Sequence, residues 1–136
     1  MSTANIDLIQ RVYAVHAQGD FDGVVAECSP DIEWHSGGSG EDFPAFGPRK
    51  GRAAVREFFS IVSDTVEFSE FAPVEFYADK DKVIVLGMYT FRMKSGGPTV
   101  TSDWVHIFTI RDDKVARFRE FLDTAPTVAA YRLSLV

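Results

Sequence analysis

The chain has 136 residues, with 20 Asp and Glu against 14 Lys and Arg, and a net charge of −6. It carries no run of Lys or Arg, which argues against nucleic acid and anionic membrane surfaces as partners, since both need a basic footprint. Its one cysteine, Cys28, leaves no intramolecular disulfide and no cysteine-cluster metal site, while twelve Phe, four Tyr and two Trp are a heavy aromatic load for a single small domain.

Ile6, Ile9, Tyr13 and His16 fall at i, i+3, i+7 and i+10, and Leu8, Val12 and Val15 widen the stripe. That spacing predicts an amphipathic first helix, capped by Ser2 or Thr3 and ended by Gly19 in the left-handed conformation. Asp7 and Gln10 interrupt what would otherwise be the apolar core of a signal peptide, and no stretch reaches transmembrane length. The cytoplasm is the expected compartment. Asp20 opens a second helix in which Phe21, Val24, Val25 and Cys28 keep the helical spacing until Pro30 stops it. A short strand over Ile32–Ser36 follows, then a loop of Gly, Pro and acid from Gly37 to Lys50. A third helix starts near Gly51 with Val55, Phe58, Phe59 and Val62 on its apolar face.

The second half changes period. Strands are predicted over Glu67–Phe71, Val74–Ala78, Val83–Met93, Val100–Ile110 and Val115–Leu122. Turns separate them at Asp79–Asp81, Ser95–Pro98 and Arg111–Lys114. Helices first and an antiparallel meander afterwards make an α+β domain, single and without repeat or linker. The long strand carries Val83, Val85, Tyr89 and Phe91 on one face and Ile84, Leu86 and Met88 on the other. Two apolar faces point to a homodimer through the sheet, with a self-contained fold of exposed apolar surface as the alternative. The tail from Thr124, with Val128, Tyr131, Leu133, Leu135 and Val136, is expected to dock on the body or across the dimer.

Several local runs carry a family resemblance. They are Ala17-Gln18-Gly19-Asp20-Phe21-Asp22, Pro30-Asp31-Ile32-Glu33-Trp34, and the run from Lys50 to Phe59 that opens the third helix. Val105-His106-Ile107-Phe108 and Asp113-Lys114-Val115 leading into Phe118–Asp123 complete the set. Together they resemble the SnoaL-like and ketosteroid-isomerase branch of the NTF2-like superfamily, from about Ile6 to Asp123. The resemblance implies a cone, with three N-terminal helices packed on a curved, mixed and mostly antiparallel sheet that encloses a pocket. It leaves function open, because isomerases, cyclases, hydrolases, dehydratases and non-catalytic binders share that scaffold. Steroid isomerases use a carboxylate base with a tyrosine and a protonated carboxylic acid as oxyanion donors. The matching positions here are Ser36, Val12 (with Tyr13 one residue over) and His106, which argues against that reaction.

The resemblance also implies which side chains line the pocket. His106 would point inward with Trp104 and Phe108, joined by Phe118, Glu120 and Leu122 on the last strand and by Trp34 and Ser36 on the first. Tyr13 and Asp123 would sit at the rim. A His and a Glu on neighbouring strands facing an apolar cavity suit general acid/base work on a small hydrophobic molecule, without metal or organic cofactor. His106 as a packed core residue and Glu120 paired with Arg52, Arg56 or Arg117 are the bland alternatives. A one-residue slip of the last strand would put Arg119 and Asp123 inside instead. A non-catalytic binding protein and an assembly module with a filled cone are the competing functions. Gly37-Gly38-Ser39-Gly40 lacks the lysine and helix of a phosphate loop and reads as a lid. Arg49, Lys50 and Arg52 read as a solvated basic turn or an anion site at a helix start. His35 reads as outward and His16 as packed; Asp103 and His106 lie on opposite strand faces, which rules them out as a metal pair.

Overall fold

The structure, a computed structural model, describes residues 2–136. Helix α1 (Ser2–Ala17) places Thr3 inside its first turn, and Ser2 as a capping side chain lies outside what is described. Gly19 follows at φ 74°, where a side chain would be strained, so the chain reverses directly into α2 (Phe21–Ala26). The Asp20 carboxylate caps α2 by accepting from the Gly23 backbone N–H at 2.9 Å. Cys28 opens strand β1 (Cys28–Ser36) rather than closing α2. Its side chain is buried in either setting, so apolar spacing alone did not separate the two.

Strand β2 (Gly47–Lys50) lies within the segment read as loop and pairs antiparallel with β1. Helix α3 (Arg52–Thr65) buries Val55, Phe58 and Phe59, the face its spacing predicts. The two strands expected next are one, β3 (Val66–Asp79), with irregularities at Phe68/Glu70 and at Pro73/Glu75. Proline has no N–H to donate, and it is tolerated here because β3 is an edge strand. The meander continues through β4 (Lys82–Met93), β5 (Val100–Arg111) and β6 (Lys114–Leu122). The tail is a fourth helix, α4 (Thr124–Ser134), in addition to the three expected. Pro126 falls in its first turn, where the missing N–H has no intrahelical partner to lose.

The six strands form one open sheet in the order β2-β1-β6-β5-β4-β3, antiparallel except for the β1–β6 pair. The helices cover one face and leave a cavity against it. Ile9, Ile32, Val55, Val83 and Val85 are fully buried in the core, each contributing about 1.5–3 kcal/mol. Among the described residues no helix is long and apolar enough to cross a membrane.

Candidate functional site

Strand pairing assembles the polar centre. His106 on β5 is the cross-strand neighbour of Glu120 on β6, and Glu120 is the neighbour of Ser36 on β1. Adjacent strands lie about 4.8 Å apart, so the three side chains form a row on the inner face of the sheet. The slip that would turn Arg119 inward does not occur: Arg119 faces out with its guanidinium 4.6 Å from the Phe121 ring centre. Glu120 is also free of the arginines considered above. Arg52 donates to the Cys28 carbonyl at 2.6 and 2.9 Å, Arg56 pairs with Asp22, and Glu120 instead meets His106.

Hydrogen bonds tie the row to two phenols. His106 Nε2 lies 2.7 Å from Glu120 Oε2, and Nδ1 of the same ring lies 2.7 Å from Tyr13 Oη. Ser36 Oγ donates to Glu120 Oε1, and Tyr89 Oη donates to Oε2 at 3.2 Å. Tyr13 therefore stands at the heart of the site, not at its rim. Trp104 stacks on the imidazole with centroids 3.8 Å apart, and Phe118 meets it edge-on at 4.9 Å. The stacked indole fits only because Gly87, opposite it on β4, has no side chain: a Cβ there would fall 2.2 Å from Trp104 Cζ2.

The environment sets the charges. Burial pushes the Glu120 carboxyl up, but hydrogen bonding and charge from His106, with further bonds from Ser36 and Tyr89, outweigh it and hold the group below the usual carboxylate value. Glu120 is thus a carboxylate and an acceptor only, so its contact with Nε2 requires a proton on that nitrogen. Burial first, then the Glu120 charge, raises Tyr13 far above an ordinary phenol, and Tyr89 is raised for the same reasons. Both keep their protons. When the imidazole is neutral, Tyr13 O–H donates to Nδ1. When it is protonated, Nδ1–H donates to the Tyr13 oxygen and the phenolic O–H turns toward the cavity, free to donate there.

The cavity has a volume of about 870 Å³ and is walled largely by aromatic side chains. Tyr13, Ser36, His106 and Glu120 face it, as do Trp34, Phe108, Phe118 and Leu122. Two expected lining residues are elsewhere. Trp104 is not on the wall; it backs the His106 ring. Asp123 is exposed and caps α4 by accepting from the Ala125 N–H, because it lies just past the end of β6, where inward alternation no longer applies. The 37–46 segment covers one side through Phe43, Ala45 and Phe46, and Thr127 of α4 closes another. His35 faces away, as expected, and Arg49 and Arg52 are engaged by backbone carbonyls. His16 and Tyr89 are site residues that the sequence did not disclose. Both sit on stripes that read equally well as core. Among the described residues, no three His, Cys, Asp or Glu side chains are grouped to hold a metal ion.

Comparison with known proteins agrees with this fold. The SnoaL-like domain family matches residues 9–118. The chain belongs to this family of NTF2-like proteins. An NTF2-like protein from Burkholderia xenovorans LB400 is 34% identical, with a TM-score of 0.86 over 96% of this chain and 98% of that one. TerC, solved with polyporic acid, is 29% identical, with a TM-score of 0.84 over 95% and 98% of the two chains. An NTF2-like protein of unknown function from Burkholderia pseudomallei K96243 shares the fold at 24% identity, with a TM-score of 0.87 over 96% and 98%. No curated protein matches. Ser36, which the family resemblance sets at the position of a steroid isomerase's base, is engaged by Glu120.

Proposed function

We propose that this SnoaL-like protein binds a small aromatic molecule in its cavity and moves a proton to or from it through Tyr13, His106 and Glu120. The observation that carries this reading is the unbroken hydrogen-bond chain from a cavity-facing phenol through an imidazole to a buried carboxylate. In the donating direction, Tyr13 O–H gives its proton to a ligand oxygen or carbon while Nδ1–H of the imidazolium reprotonates Tyr13. In the accepting direction the same protons move back, and the Glu120 carboxylate stabilises the imidazolium that forms. No step requires a redox partner. Similarity to TerC supports an aromatic ligand: polyporic acid, a benzoquinone bearing two hydroxyls and two phenyl rings, is the kind of molecule an aromatic cavity with a few polar groups accepts.

Solvent-deuterium incorporation into deoxybenzoin and related aryl ketones, followed by proton NMR, tests the chemistry. The wild type should exceed the buffer rate, and Tyr13→Phe, His106→Ala and Glu120→Gln should each lower the excess by about 10²-fold or more. Equal rates in all four proteins would sink the proton-handling assignment and leave a non-catalytic binder.

We also propose a homodimer through the outer face of the sheet. There the cross-strand rows Ile84–Ile107 and Leu86–Val105–Phe121 form an apolar patch, with Phe121 45% exposed. His35 and Arg119 flank the patch on one side and Glu75 on the other, so two copies related by a two-fold axis would set unlike charges together.

A further inference from the structure

We infer that His16 is the second polar contact of the ligand, an imidazole that hydrogen-bonds an oxygen substituent on the aromatic molecule held against Tyr13 and His106. This rests on the reading of the cavity as a ligand site and adds what the ligand must carry. His16 lies on α1 three residues after Tyr13, so the two side chains leave the same helix face about 5–6 Å apart at Cβ. Both line the cavity. The His16 ring is set among Phe71, Phe59 and Phe21, with centroids at 4.8, 5.8 and 5.9 Å.

Among the described residues none hydrogen-bonds either ring nitrogen of His16, whereas both nitrogens of His106 are paired. The His16 side chain is half-buried and its ring nitrogens are not among the sealed polar atoms that lack a partner, so they stay open to a group that enters the cavity. Burial and the nearby His106 hold His16 down to about 4, so it is uncharged at neutral pH and offers one donor and one acceptor. It therefore recognises a ring hydroxyl, as donor or acceptor, without requiring an ionic partner. The matching ligand is an aromatic or quinonoid ring with one oxygen for Tyr13 and a hydroxyl, on another edge, for His16.

Affinities for polyporic acid and for 2,5-diphenyl-1,4-benzoquinone, which lacks the two hydroxyls, separate this role from simple packing. The wild type should favour polyporic acid. His16→Phe should weaken polyporic acid by about tenfold, the scale of one hydrogen bond, and leave the quinone within about twofold. His16→Gln, which keeps a donor and an acceptor, should restore much of the preference. Equal losses for both probes in His16→Phe, or no loss for either, would overturn the inference while the cavity remains a binding site. Binding of neither probe by the wild type would overturn the ligand-site reading and this inference with it.

Discussion

Because His16 is held uncharged by its surroundings, the protein should carry an acid sensitivity that His16→Phe removes. The folded-state value is lowered from 6.5 to about 4, so between those values the unfolded chain binds a proton that the folded one refuses. Stability from this group is complete above pH 6.5 and is lost as pH falls toward 4. At about 1.4 kcal/mol per pH unit, the gap corresponds to about 3 kcal/mol. Urea unfolding of both proteins from pH 7.5 to 4 gives the difference directly. Glu120 and His106, the ionisable groups coupled to His16, are present in both and largely cancel. The wild type should lose about 3 kcal/mol more than the variant across that range, and the variant should match or exceed it at pH 7.5. Parallel profiles would refute the argument, since they would mean that His16 accepts a proton in the folded state as readily as in the unfolded one.

Other substitutions test other parts of the account. Gly87→Ala would set a Cβ 2.2 Å from Trp104 and 2.6 Å from the Ala72 carbonyl oxygen, so it should cost about 1–3 kcal/mol in urea unfolding and alter tryptophan fluorescence. Tyr89→Phe removes one of the donors that hold the Glu120 carboxyl low. The stability Glu120 contributes is present above the unfolded carboxylate range and lost as pH falls through its folded value, so in urea unfolding this variant should lose less on acidification, with the loss complete at a higher pH. Ile107→Glu, in the centre of the outer apolar patch, should convert a dimer to a monomer in light scattering, whereas a wild-type monomer would refute the proposed assembly.

Much of this architecture is legible in the sequence because burial imposes a period. The inner faces of α3, β5 and β6 follow directly from residues such as Val55, Phe58, Phe108 and Phe118. Local signals fail where tertiary pairing decides. Strand β2, Gly-Pro-Arg-Lys, has no alternation of its own and exists because β1 offers it hydrogen bonds. Pro73 breaks the strand pattern in sequence, yet an edge position lets β3 continue through it. The apolar content of the tail predicts docking but no particular element, and the Asp123 cap starts a helix there. In the site, His106, Glu120 and Ser36 were reachable from alternation and family resemblance. The depth of Tyr13 was not, since a rotation of one residue on α1 moves a side chain by about 100°. His16 stayed hidden because a stripe that faces a cavity and one that faces a filled core have the same spacing.

The proton path from Tyr13 through His106 to Glu120 is the central claim, and nitrogen-15 NMR of the His106 ring tests it most directly. At a pH where the imidazole is neutral, the carboxylate acceptor at Nε2 and the phenol donor at Nδ1 predict a single tautomer. The proton should be on Nε2, and Nδ1 should show the shift of a hydrogen-bond acceptor. A proton on Nδ1, or two tautomers in fast exchange, would contradict the account.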